Sequence, residues 1–142
     1  MTKSIALALA LGVLLAGGGE DADAAEMQPG MWHFTQTTQG GGRSKSKASR
    51  RCVTAEQAKD PARYFTPIGR GCALVSHSNF GGRISSNLRC ANGETTTDVQ
   101  STVSIASPTH LTISTTMTAS VGGKSASVVV RGEGRRTGNC RG

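Results

Sequence analysis

Between Cys72 and Val130 apolar residues recur at every second position, and the set switches between even and odd numbers at successive turns. Only an antiparallel meander explains such switching, because a one-residue slip would turn a whole apolar set to solvent. A turn around Gly81, within Asn79–Arg83, sets Cys72 against Cys90 and Leu74 against Leu88, with even positions such as Ile84 inward. Asn92-Gly93 signals a two-residue hairpin loop, which pairs even positions with odd ones. The inward set then becomes odd, with Val99, Val103 and Ile105. The turn through Ser107-Pro108-Thr109 keeps that parity and opposes Ile105 to Leu111, Val103 to Ile113 and Val99 to Met117. Gly122-Gly123 reverses it, and Val128 and Val130 are even while Val129 falls outside the pattern.

Upstream of this block, Trp32 and Phe34 stand two apart after Pro29-Gly30, so a strand there projects both to one face. In a chain with one Trp and three Phe they are expected to supply the core, an exposed aromatic platform being the competing reading. Gln39–Ser49 is Gly, Ser and basic residues without an apolar period and reads as a flexible loop. Thr54, with Gln57 three positions on, has the capping-box spacing, and Pro61 ends the run, which predicts one short helix. Tyr64 and Phe65 are expected to pin the connection after it to the core. The expected architecture is mainly β: about six strands in an antiparallel meander, a curled sheet or half-barrel, one short helix and two disulfides.

The N-terminus has Lys3, an apolar run from Ile5 to Ala16, then small residues and Ala22-Asp-Ala24, the order of a secretory signal peptide. The run is shorter than the roughly 20 residues of a membrane span, so residues 1–24 are read as a cleaved leader, an N-terminal membrane anchor being the competing reading, and 25–142 as a single domain. Gly18 occupies the place where a lipoprotein box after Leu14-Leu15-Ala16-Gly17 needs its acylated Cys, which points to a periplasmic or secreted protein without a lipid anchor. Without residues 1–24, which hold Lys3, Glu20, Asp21 and Asp23, the chain has 15 basic and 6 acidic side chains and a net charge of +9, against +7 for the whole. That balance suits anionic partners without choosing among nucleic acid, lipid headgroups and polysaccharide.

Four cysteines, Cys52, Cys72, Cys90 and Cys140, in an exported chain read as two disulfides. The absence of a C-x-x-C pair suggests neither a zinc ribbon nor a redox dithiol. Four cysteines allow three connectivities. The register favours Cys72–Cys90, because opposed residues lie at a distance a disulfide tolerates, and elimination leaves Cys52–Cys140.

"MQPGMWHFTQTT", "CVTAEQAKDP", the later Cys72 and Cys90, and "GEGRRTGNC" occur together in this order. The chain thereby resembles the domain of unknown function 3617 family, small exported bacterial proteins. The family's Pro-Gly-x-Trp falls on Pro29, Gly30 and Trp32, its Cys-Val-Thr on Cys52, Val53 and Thr54, and its closing Arg-x-Gly-x-Cys on Arg136, Gly138 and Cys140. His33 departs from it, since relatives tend to carry an acidic residue there. The resemblance implies an address and a fold, and brings no activity with it.

No constellation for catalysis stands out. A nucleophile needs an adjacent base, yet the register sends His33 and His77 outward and puts His110 at a turn. No two histidines have metal-pair helical spacing, and the scattered carboxylates Glu26, Glu56, Asp60, Glu94, Asp98 and Glu133 suggest no glycosidase pair. Gly40-Gly41-Gly42 lacks the Lys and Ser/Thr of a phosphate loop. No catalytic residue, metal or cofactor is therefore expected. Arg50 and Arg51 before Cys52, and Arg131, Arg135 and Arg136 before Cys140, are expected to meet in one cationic patch for anionic envelope material. A solvated charged rim is the competing reading. The sequence thus points to a non-enzymatic binding or accessory module of the bacterial envelope, with a small lipocalin-like carrier of an apolar ligand as the alternative and a hydrolase of unknown type as the weaker rival.

Overall fold

The computed structural model describes residues 26–141, so the leader read over residues 1–24 lies outside the described residues. The strands are β1 (Gly30–Gly40), β2 (Arg43–Val53), β3 (Cys72–Phe80), β4 (Arg83–Asn92), β5 (Thr95–Ser107), β6 (His110–Val121) and β7 (Lys124–Gly138). Between β2 and β3 stand two short helices, α1 (Ala55–Lys59) and α2 (Pro61–Phe65). All seven strands form one antiparallel sheet in the order β2-β1-β7-β6-β5-β4-β3. The meander expected from the parity switches is β3 through β7, and β1 joins it by pairing with the last strand. β2 and β3 remain as free edges, so the sheet stays open.

The expected register holds across β5–β6 and β6–β7, including Ile105 opposite Leu111 and Val103 opposite Ile113, whereas β4–β5 keeps the expected parity but slides by two residues, with Leu88 opposite Val99. Three local corrections arise. The loop after β4 is Gly93-Glu94, one position later than expected, which leaves the parity intact. Cys72 faces Cys90 and Leu74 faces Leu88, but a bulge at Val75 shifts the remainder by one, so Ser78 pairs with Ser85 and His77 with Ser86. An extra residue in one strand reverses the facing of everything beyond it. His77 therefore shares the face of Ser86 and Ile84 rather than the outward face.

The third correction concerns Gln39–Ser49, read as a loop. Only Gly41 and Gly42 form the turn, and Arg43 onward is strand, with Gly40 opposite Arg43 and Phe34 opposite Ser49. No apolar period marks β2 because it is an edge strand that buries little. Arg43, Lys45, Lys47 and Arg51 alternate with Ser and Ala, and charge along an exposed edge discourages pairing with another chain.

The helices follow their caps. Thr54 accepts from the Gln57 amide and Gln57 reaches back to the Thr54 amide, as the spacing predicts. Pro61 does more than end α1: it opens α2, capped by Asp60 accepting from the Arg63 amide. On one face of the sheet Trp32, Phe34, Ile84, Val103 and Leu111 join Val53, Ala58 and Ala62 in the core, with Trp32 and Leu111 fully buried. Phe65 meets Phe34 edge-on with ring centroids 6.5 Å apart, which fixes α2 to the sheet. Cys52–Cys140 and Cys72–Cys90 are the two disulfides.

Candidate functional site

The face opposite the core is built from the outward residues of every strand, and the register places them in rows. Opposed residues of an antiparallel pair project to the same side. One row crosses the whole sheet as Ser78, Ser85, Thr102, Ser114, Arg131, Thr37 and Ser46. Beside it run Ser76, Asn87, Gln100 and Thr116. Over β3 to β6 these side chains line a trough of about 450 Å3 that contains no carboxylate. Asn87 is among the lining residues, and its Oδ1 is closed off from solvent and takes no hydrogen bond within the protein. A buried acceptor of this kind carries an unmet desolvation cost until a donor reaches it.

Phe80 pairs with Arg83 at the trough's end, on the same face two residues beyond Ser78, and its ring is 73% exposed. On the other side of the trough the sheet turns cationic. Arg131 lies in the hydroxyl row itself, and a further row runs Arg50, His33, Arg135 and His110 across β2, β1, β7 and β6. Glu133 lies between these rows and is held by Arg135 and by His110 Nε2 at 2.9 Å. Asp98 accepts from Arg89 Nε at 2.8 Å, and that hydrogen bond and charge hold the Arg89 guanidinium above its ordinary pKa.

The five arginines expected to meet are thus divided. Arg50, Arg131 and Arg135 share the outer face. Arg51, one residue from Arg50, points to the core-side face with Trp32. Arg136 is taken up internally: its Nε donates to the Pro29 carbonyl at 2.8 Å and its terminal NH2 nitrogen to Asn139 Oδ1 at 2.7 Å. A Cβ on Gly30 (φ +143°) would lie 2.7 Å from that Nε and run into the Gly138 carbonyl, so only glycine fits beneath it. Trp32 Nε1 donates to the Gln28 carbonyl at 3.0 Å, and Cys52–Cys140 closes the same region. The Pro29-Gly30-x-Trp32 and Arg136-x-Gly138-x-Cys140 elements are therefore two halves of one structural clasp.

Sequence reading missed the hydroxyl rows. Thr102 and Gln100 were legible as outward, but Ser76 and Ser78 reach that face only because of the bulge at Val75. A count of outward hydroxyls strand by strand, carried across the hairpins, would have found the rest.

The model of a family described as a protein of unknown function (DUF3617) matches residues 27–140. No curated protein and no solved structure matches the chain.

Proposed function

The chain belongs to the DUF3617 family, and from that premise we propose that it is an exported, non-catalytic binding protein whose outer sheet face takes an acidic glycan. The observation that carries the reading is the hydroxyl row of Ser78, Ser85, Thr102 and Ser114 running into Arg131. Hydroxyls donate and accept in any rotation, and the exposed amide of Gln100 offers both functions, which suits a polyol whose own hydroxyls do the same. Phe80 offers an apolar ring for the C–H face of a sugar. Arg131 and Arg50 supply positive charge where a carboxylate, sulfate or phosphate on the glycan would lie. Single-stranded nucleic acid would want a series of stacking rings, whereas Phe80 is the sole Phe, Tyr or Trp side chain on the outer sheet face among the described residues.

A binding role also agrees with the state of the reactive groups. All four cysteines are in disulfides, Glu133 is held by Arg135 and His110, and Asp98 by Arg89. The disulfides accord with an oxidising compartment, and among the described residues no helix is long and apolar enough to cross a membrane. Two free sheet edges favour an open binding face over an enclosed carrier.

The test is retention on an immobilised polyuronate against neutral dextran. The protein is expected to bind the polyuronate, to elute earlier as salt rises, and to lose retention with Arg131→Glu while Arg141→Glu retains it. Equal behaviour on dextran, or retention indifferent to Arg131, would remove the proposal.

A further inference from the structure

On the core-side face, between β1, β2 and α2, is a separate cleft of about 220 Å3. Its origin lies in the neighbours of Phe34, which faces Ser49 on one side and Gly134 on the other. The ring leans over Gly134, where a Cβ would come within 2.7 Å of Phe34 Cε1, and so leaves space above the small Ser49. Phe34 and Ile113 form the floor, and Tyr64 and Phe65 form a wall, their rings edge-to-face at 4.9 Å. Arg51 stands at the rim and has no carboxylate within salt-bridge distance among the described residues. Lys47, opposite Gln36 of the lining, adds a second cation on the same face.

An apolar floor beside an unpaired guanidinium fits one kind of occupant, an anion with a compact apolar body. Guanidinium and carboxylate match in shape and charge. The volume is below the roughly 300–1,000 Å3 of sites for drug-sized ligands, which limits the occupant to one ring or a short chain. We infer that this cleft is a second binding site, specific for a small aryl or short-alkyl carboxylate, with Phe34 beneath the apolar body and Arg51 on the carboxylate. The site is independent of the glycan reading, since the two lie on opposite faces and share no residue.

The test uses the whole oxidised protein with 3-phenylpropionate and the uncharged 3-phenylpropanol in isothermal titration. Wild type is expected to prefer the acid by roughly tenfold, the scale of one charged hydrogen bond. Arg51→Gln should bring acid and alcohol to the same affinity, and Ser49→Phe should abolish both while the circular dichroism spectrum stays native. Trp32, the only tryptophan, stacks on Phe34 with centroids 6.1 Å apart, so its emission should change with the same saturation curve. No saturable binding, equal affinity of acid and alcohol in wild type, an unaffected Arg51→Gln, or binding that leaves Trp32 emission unchanged would each overturn the inference.

Discussion

Removing the two disulfides separately is expected to have unequal effects. Cys52–Cys140 links positions 88 residues apart and Cys72–Cys90 positions 18 apart. Loop-closure entropy gives about 4.6 kcal/mol for the first and about 3.2 kcal/mol for the second at 25 °C. Context widens the gap. Cys72–Cys90 joins two strands already paired, at an edge where every β3 residue except Cys72 is exposed, so its loss frees a strand that buries little. Cys52 adjoins the fully buried Val53, and Cys140 follows Asn139, the partner of Arg136, so losing that bridge also loosens the clasp. A domain of this size holds about 5–15 kcal/mol in all, and the long link is a large share of it. Urea unfolding of the oxidised Cys52→Ala/Cys140→Ala and Cys72→Ala/Cys90→Ala proteins, followed by fluorescence of the buried Trp32, should show the first pair less stable by more than about 1 kcal/mol. Equal losses, or the reverse order, would refute the reasoning.

Other perturbations have defined outcomes. Gly134→Ala sets a methyl against the Phe34 ring and Leu111 and should cost about 1–3 kcal/mol in the same assay. Gly30→Ala forces a side chain into φ +143° under Arg136, and should lower the melting temperature more than Gly41→Ala, whose added Cβ meets nothing. Arg89→Gln breaks a solvent-exposed ion pair and should leave the melting temperature unchanged within error at neutral pH. Replacing Lys45 and Lys47 by Val strips charge from the β2 edge and should produce concentration-dependent association in sedimentation velocity.

Much of the meander is legible because burial on one face leaves a period that turn lengths must respect. Ile84, Val103 and Leu111 are therefore found by parity alone, and Thr54 with Gln57 by cap chemistry. β2 escapes this logic: an edge strand with Arg and Lys alternating against Ser has no buried face to write a period. The bulge at Val75 escapes it too, because Leu74, Val75 and Ser76 are all exposed and no burial penalty marks the extra residue. The site suffered from both. With β2 read as a loop, Arg50 and Arg51 could not be assigned to opposite faces, and without the bulge Ser78 falls on the wrong one. That Arg136 serves the backbone of Pro29 is a contact across 107 residues, beyond any local signal.

The outer face is tested most directly by recording backbone and side-chain amide spectra of the labelled protein while an oligouronate is added. Shifts are expected to gather on Ser78, Ser85, Asn87, Gln100, Thr102, Ser114 and Arg131, with the Asn87 side-chain amide among the largest. Shifts confined to the helices and the Phe34 cleft, or no saturable shift on that row, would contradict the assignment.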